Sequence, residues 1–154
     1  MEVNFSEVTP MIYESGINVP YHWWAGKTAT RFYTVIRDES KIMATTCRVC
    51  KQVFVPPRKV CPACFVDADQ WIEVSSSGTI LTYTIARRQL SALPKKVPVI
   101  FALIQLDGAT TSLLHYVDEI RPEDVKIGLR VKAKFSANPV GGIMDIDYFR
   151  PIEE

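Results

Sequence analysis

The sequence predicts a mainly β protein in three parts: an aromatic, partly helical arm, a zinc ribbon and a five-stranded barrel. Its four cysteines form two close pairs between residues 47 and 64, and an aromatic cluster precedes them. From residue 75 onward, β-branched and aromatic residues dominate between turn signals. We therefore expect residues 1–40 to form the arm, 41–73 the ribbon and 74–154 the barrel.

Composition places the chain among soluble globular proteins, with 47% hydrophobic and 23% charged residues in 154. A net charge of +1 and scattered basic residues disfavour a dedicated nucleic-acid binder, which usually carries a clustered basic surface. The longest apolar run, residues 97–106, is about half the length of a membrane-spanning helix, so we expect a buried strand there and no membrane association.

The first seven residues are polar and acidic, and they lack the basic start and apolar stretch of a secretory signal. We therefore expect a cytoplasmic protein whose thiols stay reduced. Four cysteines in two close pairs then point to a metal site and not to disulfides.

The metal motif consists of Cys47-x2-Cys50 and Cys61-x2-Cys64, two pairs separated by ten residues. Each pair lets a tight turn aim two thiolates at one point, and two such turns complete a tetrahedron around zinc. A four-thiolate shell leaves no open coordination position, so we expect a structural zinc ion. Iron, as in rubredoxin, is the alternative metal.

The arm carries Tyr21, His22, Trp23 and Trp24 in succession. Adjacent tryptophans are costly to expose, so Tyr21, Trp23 and Trp24 either dock on a partner protein or cover the ribbon. The sequence leaves both interpretations open.

The barrel prediction rests on alternation and turn signals. Asp107-Gly108 between two apolar runs is a strong hairpin signal. Residues 75–78 are typical of a turn. Residues 121–124, with their proline, predict the start of one helical turn, and Gly128 ends that segment. We expect strands at residues 79–88, 99–106, 109–117, 129–135 and 143–149. Five strands with a helical turn between the third and fourth fit a Greek-key barrel of the oligonucleotide/oligosaccharide-binding (OB) type.

Several polar residues are weaker candidates for function. Arg87, Arg88, Lys95 and Lys96 flank the first long loop, where a phosphorylated ligand such as CoA would need cations. A solvated loop is the ordinary explanation of such residues. No nucleophile lies near either histidine in sequence, so we expect packing roles for His22 and His115. Asp145 and Asp147 are expected to mark the solvent face of the last strand.

The sequence has no cysteine left over for catalysis. Thiolase chemistry needs a cysteine nucleophile, and all four cysteines belong to the ribbon. We therefore assign no catalytic residue to this chain and do not expect it to be a thiolase on its own.

The ordered motifs resemble a family with a rubredoxin-like zinc ribbon followed by an OB-fold, formerly a domain of unknown function and associated with acyl-CoA enzymes. The segments that carry the resemblance are Tyr-His-Trp-Trp-Ala-Gly at 21–26, Cys-Arg-Val-Cys at 47–50, Phe-Val-Pro-Pro-Arg at 54–58, Cys-Pro-Ala-Cys at 61–64, Ser-Gly-Thr-Ile at 77–80 and Tyr-Phe-Arg-Pro at 148–151. The resemblance runs from about residue 21 to the end.

The resemblance implies a non-catalytic accessory subunit that has a thiolase-fold catalytic subunit as its partner, bridges the subunits of the complex and helps to hold CoA or acyl-CoA. Among such subunits, the chain resembles in its length the small subunit of a benzoylsuccinyl-CoA type thiolase. The resemblance also makes Arg58, together with the loop cations at 87, 88, 95 and 96, a candidate CoA contact. Two alternatives stay open: a single-stranded nucleic-acid-binding protein, since ribbons and OB barrels both serve that purpose, and a rubredoxin-like electron carrier.

Overall fold

The computed structural model describes residues 9–13, 16, 19–89, 93 and 95–152, so the acidic residues 1–8 lie outside the described part. One helix and eight strands occur in this described part. They are α1 (Gly26–Glu39), β1 (Ile42–Thr46), β2 (Val53–Phe54), β3 (Gln70–Val74), β4 (Ser77–Ala86), β5 (Val99–Leu106), β6 (Ser112–Val117), β7 (Arg130–Phe135) and β8 (Ile146–Pro151).

Helix α1 forms the second half of the predicted arm. Phe32 and Ile36, four residues apart, lie on one face and are both 1% exposed. The helix ends because Ser40 adopts a left-handed conformation, with φ 52°, and its N–H donates to the Ile36 carbonyl. The apolar face therefore fixes α1 against the rest of the molecule.

The ribbon sheet has the order β2-β1-β3, with all neighbours antiparallel. Ile42 pairs with Val74 at the end of β1 from which β3 leads into the barrel, whereas Thr46 pairs with Gln70 at the other end, beside the first cysteine pair. The sheet therefore places the metal motif at the end of β1 opposite to the connection between β3 and β4.

The five remaining strands close into a barrel with the order β4-β5-β6-β8-β7. Closure occurs where Gly78 of β4 pairs with Val131 of β7, and the parallel contact joins Val117 of β6 to Phe149 of β8. The turn at residues 122–124 lies between the third and fourth barrel strands, as predicted. The predicted mainly β fold, with a four-cysteine ribbon and a five-stranded barrel, is confirmed.

Some predicted boundaries are wrong. Ser77 and Gly78 belong to β4 and not to a turn, and the third barrel strand begins at Ser112. The last strand begins at Ile146, because residues Ile143–Asp145 form a short 3-10 turn. The alternation in β7 is confirmed, with Val131 and Ala133 buried between exposed basic residues.

One apolar core joins helix, ribbon sheet and barrel. Phe32 of α1, Ile42 of β1 and Val55 after β2 belong to the same buried cluster as Ile104 and Phe149 of the barrel. A second, smaller cluster surrounds the metal motif and contains Cys47, Phe54, Cys61 and Ala68. No helix in the described ranges is long and apolar enough to cross a membrane.

Candidate metal centre and partner-binding surfaces

The two cysteine pairs sit on matching backbone turns. The N–H of Lys51 donates to the Cys47 carbonyl at 3.0 Å, and the N–H of Phe65 donates to the Cys61 carbonyl at 2.9 Å. Lys51 and Phe65 both adopt the left-handed conformation, with φ of 61° and 55°. Each turn folds the chain back so that its two sulfurs face the other pair.

The four sulfurs of Cys47, Cys50, Cys61 and Cys64 all lie within 4.8 Å of one another. The Sγ atoms of Cys50 and Cys61 are 3.6 Å apart, too far for a disulfide bond of about 2.0 Å. Zinc–sulfur bonds of about 2.3 Å place tetrahedral sulfurs roughly 3.8 Å apart. The donor set and its spacing therefore fit a tetrahedral ion such as zinc.

The thiols differ in how easily they ionise. The backbone N–H groups of Cys50 and Val49 stabilise the Cys47 thiolate and lower the pKa of Cys47 to about 7. The hydrogen bond with Cys50, together with burial, raises the pKa of Cys64 to about 12. A metal binds the thiolate form, so its binding releases protons from the thiols that still carry them.

The hydroxyl of Thr45 in β1 holds the end of the loop between the cysteine pairs. Thr45 Oγ accepts the N–H of Arg58 and donates to the Arg58 carbonyl, both at 2.9 Å. This pair of bonds fixes the backbone of Arg58, whose guanidinium lies 5.8 Å from the centre of the Phe54 ring.

Two threonines from the β5–β6 turn tie the ribbon to the barrel. Thr110 Oγ accepts the Val53 N–H at 2.8 Å and donates to the Val53 carbonyl at 2.9 Å. Thr111 makes the same pair of bonds with Val55, at 2.8 and 3.0 Å. Sequence reasoning missed these residues: adjacent threonines after a turn are visible in the sequence, but the strand edge that they face is not.

The candidate CoA contacts do not form one site. The β5–β6 turn touches the ribbon, and the loop between β4 and β5 joins the opposite ends of these strands. Arg58 therefore lies at the ribbon end of the barrel, whereas Arg87, Arg88 and Lys96 lie exposed at the other end. A ligand held by both groups would have to span the barrel.

Lys95 is already engaged by the protein. Its ammonium lies 3.4 Å from an Asp147 carboxylate oxygen and 3.7 Å from one of Asp118, and 4.7 Å from the centre of the Tyr148 ring. Two carboxylates offset its charge, so Lys95 is a poorer phosphate ligand than the loop sequence indicates. Beside it lies a cleft of 720 Å³, also lined by Lys96, Tyr116 and Glu119.

The histidines and aspartates have structural surroundings that differ from the predictions in two cases. His115 is 5% exposed and its Nε2 lies 3.2 Å from the Ile143 carbonyl, and burial lowers its pKa. His22 is exposed, so the packing role expected for it is wrong. Asp145 is 2% exposed in the 3-10 turn, so placing it on the solvent face is wrong too. Asp145 is not on the solvent face of the last strand because that strand begins one residue after it.

Burial alone would raise the pKa of the Asp145 carboxyl, but three backbone N–H groups lower it below its ordinary value. Oδ1 accepts from Val140 at 2.8 Å, and Oδ2 accepts from Gly141 at 2.7 Å and Gly142 at 3.2 Å. The carboxylate therefore organises the connection that enters β8.

The aromatic residues of the arm do not cover the ribbon. Tyr21, Trp23 and Trp24 are 75%, 74% and 73% exposed. Helix α1 begins at Gly26, directly after them, and carries the buried face of the arm. Such exposure does not fit the interpretation that these residues cover the ribbon, and docking on a partner protein stays a prediction.

The outer face of β4, β5 and β6 is a second uncovered surface. These three strands, as the structure describes them, contain no Asp, Glu, Lys or Arg. Leu81, Leu103 and Leu114 are 44%, 36% and 59% exposed there. Interfaces between proteins are depleted of charged residues at their centre, and this face has that composition.

Comparison with known proteins gives consistent matches along the chain. Residues 35–70 match the family model for the ChsH2 rubredoxin-like zinc ribbon domain, and residues 71–136 match that for the ChsH2 C-terminal OB-fold domain. A DUF35 domain-containing scaffold protein of Methanocaldococcus jannaschii is 29% identical over 132 residues, covering 82% of this chain and 93% of the relative. A protein of the same description from Pyrococcus furiosus is 28% identical, covering 80% of this chain and 92% of the relative.

Two solved structures share the fold. A chain of the Ltp2-ChsH2(DUF35) aldolase superposes with a TM-score of 0.61 at 22% identity, covering 84% of this chain and 98% of that one. A DUF35-family protein of unknown function from Sulfolobus solfataricus superposes with a TM-score of 0.57 at 27% identity, covering 70% and 78%.

Proposed function

Because the chain belongs to the family that joins a ChsH2-type zinc ribbon to a ChsH2-type OB-fold, we propose that it is a non-catalytic accessory subunit of a thiolase-like acyl-CoA enzyme complex. The observation that carries this proposal is the uncovered aromatic arm. Tyr21, Trp23 and Trp24 are about three-quarters exposed, and they precede helix α1, whose apolar face is anchored in the core. Aromatic residues of this kind are typical anchors of protein interfaces.

The metal has a structural role in this proposal. Four thiolates fill the coordination shell of zinc, and the cluster forms the core of the ribbon with Phe54 and Ala68. Zinc would hold the two cysteine turns together and take no part in a reaction. Thiols kept reduced for this purpose fit a cytoplasmic location.

The buried polar groups support a non-catalytic role. Asp145 is committed to three backbone N–H groups, and His115 faces the Ile143 carbonyl from inside the barrel. Both groups are engaged with backbone groups next to β8. The accessory subunit would act by positioning the partner and its substrate.

The scaffold description of the archaeal relatives and the two-component description of the Ltp2-ChsH2(DUF35) aldolase support a second, catalytic chain. The thiolase-like nature of that partner rests on the resemblance of the ordered motifs. Arg87, Arg88 and Lys96 at one end of the barrel, or Arg58 at the other, would contribute to a CoA site that the partner completes. Lys95 would contribute less directly, through the cleft that it lines.

The test is a mild-salt pull-down of the tagged chain from its native extract, with mass spectrometry of the bound proteins and metal analysis of the same sample. We expect a thiolase-fold protein and about one zinc per chain. The matched variant replaces Trp23 and Trp24 by Ala and should lose the partner but keep the zinc. Recovery of the wild-type chain alone, or with iron, would contradict the proposal.

Binding of single-stranded nucleic acid is less well supported. The rings of Phe101 and Tyr116 lie 4.9 Å apart on the outer face of β5 and β6 and resemble a stacking platform. The strands β4, β5 and β6 offer no Lys or Arg in their described residues to neutralise phosphates. Salt-sensitive binding of oligonucleotides would favour this function over the accessory role.

A further inference from the structure

Phe65 combines two unfavourable features. It follows the last cysteine of the ribbon and adopts a φ of 55°, a conformation that is rare for bulky side chains and ordinary for glycine. Its side chain is also 84% exposed. A glycine here would relieve the backbone and remove an exposed ring, so folding alone does not explain a phenylalanine.

Phe65 is one of six exposed residues that lie close in sequence to the four cysteines and that we name the ribbon tip: Val49, Val60 and Phe65 with Lys51, Arg58 and Lys59. Val49, Val60 and Phe65 are 61%, 43% and 84% exposed, and each is next in sequence to a cysteine of the sulfur cluster. Since the four sulfurs lie within 4.8 Å of one another, the three apolar side chains come from one end of the ribbon.

The cations of the ribbon tip are available for a partner. Lys51, Arg58 and Lys59 are exposed, and none of them forms an ion pair within the described ranges. In the same ribbon, the guanidinium of Arg48 is paired with Asp69 at 2.5 Å. The ribbon tip therefore combines three exposed apolar side chains with three cations that form no ion pair within the described ranges.

We propose that the ribbon tip binds the partner subunit, with the Phe65 ring in an apolar pocket that is rimmed by carboxylates. The identity of that subunit rests on the proposed function, but the surface and its chemistry follow from the tip. A protein fits better than a nucleic acid because Val49 and Val60 are aliphatic and cannot stack on bases. Burial of an exposed aromatic anchor at an interface centre typically dominates the binding energy.

The test uses Phe65→Gly in the full-length chain. The catalytic subunit recovered in the pull-down is purified and titrated with wild-type and variant chains, and zinc content and Tm are measured in parallel. We expect the Kd to rise by about tenfold or more, as for loss of an interface anchor. Zinc content should be unchanged and Tm unchanged or higher, because glycine accepts the left-handed conformation without strain. If Phe65 had only a structural role, Phe65→Gly would lower the Tm or the zinc content and leave the Kd of the folded chain unchanged.

The matched control is Val140→Ala, which trims an equally exposed residue of the barrel, at 82% exposure, and should leave the Kd unchanged. Lys51→Glu tests the rim: it should weaken binding and reduce its sensitivity to salt. This second variant carries the test if Phe65→Gly fails to fold.

Three results would overturn the inference. If Phe65→Gly and Lys51→Glu both bind the catalytic subunit as the wild type does, the tip is not the docking surface, while the accessory function stands. If no catalytic subunit accompanies the wild-type chain, both proposals fail. If oligothymidylate binds the wild type and not Phe65→Gly, the tip is a nucleic-acid surface.

Discussion

Asp145 shows how a single carboxylate can organise a strand entry. Three successive backbone N–H groups, from Val140 to Gly142, converge on its two oxygens, and the side chain is almost completely buried. An ionised acceptor makes stronger hydrogen bonds than a neutral one. Asp147, two residues later, instead pairs with Lys95 on the outside, so neighbouring acids in one segment have unrelated roles.

We expect Asp145→Asn to lower the free energy of unfolding by about 2 kcal/mol or more at neutral pH, because an amide nitrogen would face a backbone N–H. The lowered pKa of Asp145 means that its contribution is present above the ordinary pKa of about 3.9 and is lost as pH falls through the folded-state value. Urea unfolding of both proteins should therefore show a difference that shrinks with acidity. Asp147→Asn is the control, and a similar loss there would contradict this account.

The β5–β6 turn of the barrel binds the outer edge of β2 and so connects the barrel to the ribbon sheet. Strand β2 has only two residues, and its outer edge is occupied by Thr110 and Thr111 rather than by a further strand. Each hydroxyl satisfies both the N–H and the carbonyl of one residue, which an edge strand would otherwise expose. These four bonds, together with the shared apolar core, hold the ribbon against the barrel.

Replacement of Thr111 by Val should leave the Val55 N–H and carbonyl without these partners and destabilise the chain by about 1–3 kcal/mol. The shape of the side chain is nearly kept, so the effect reports the hydroxyl. Hydrogen exchange should show faster exchange of the Val55 amide. Thr84→Val, at an exposed position of β4, should change stability by less than about 0.5 kcal/mol. Equal effects of the two substitutions would argue against a stabilising role of the hydrogen bonds between Thr111 and Val55.

Closure of the barrel depends on a close approach at Gly78. This residue pairs with Leu106 on one side and with Val131 on the other, where β4 meets β7. A Cβ at this position would overlap the carbonyl oxygen of Gln105 and lie 2.9 Å from the Cα of Leu106. Both neighbours are backbone, which cannot move aside without opening the strand pair.

Gly78→Ala is therefore expected to cost about 3 kcal/mol or more, or to prevent folding, because overpacking against backbone has no cheap relief. Thermal unfolding followed by circular dichroism measures the effect. Gly142→Ala is the matched control, since nothing lies within 4 Å of its Cβ position. A Tm for Gly78→Ala close to that of the control would mean that the barrel opens more easily than its pairing indicates.

Much of the fold was accessible from local patterns. Cysteine spacing predicted the ribbon, Asp107-Gly108 predicted the β5–β6 hairpin, and the alternation around Val131 predicted which side of β7 is buried. These signals are local, since a turn or a pleat acts over a few residues. Docking by Tyr21, Trp23 and Trp24 and contact of CoA with the basic residues stay predictions.

The amino-acid pattern was sufficient for the four cysteines of the metal centre and for the five strands of the barrel, because both depend on neighbours along the chain. It was insufficient for the burial of Asp145, the pairing of Lys95, the threonine connection and the exposure of Phe65. Each of these depends on which distant segment packs against the residue. Such contacts arise only when the core shared by α1, the ribbon sheet and the barrel brings those segments together.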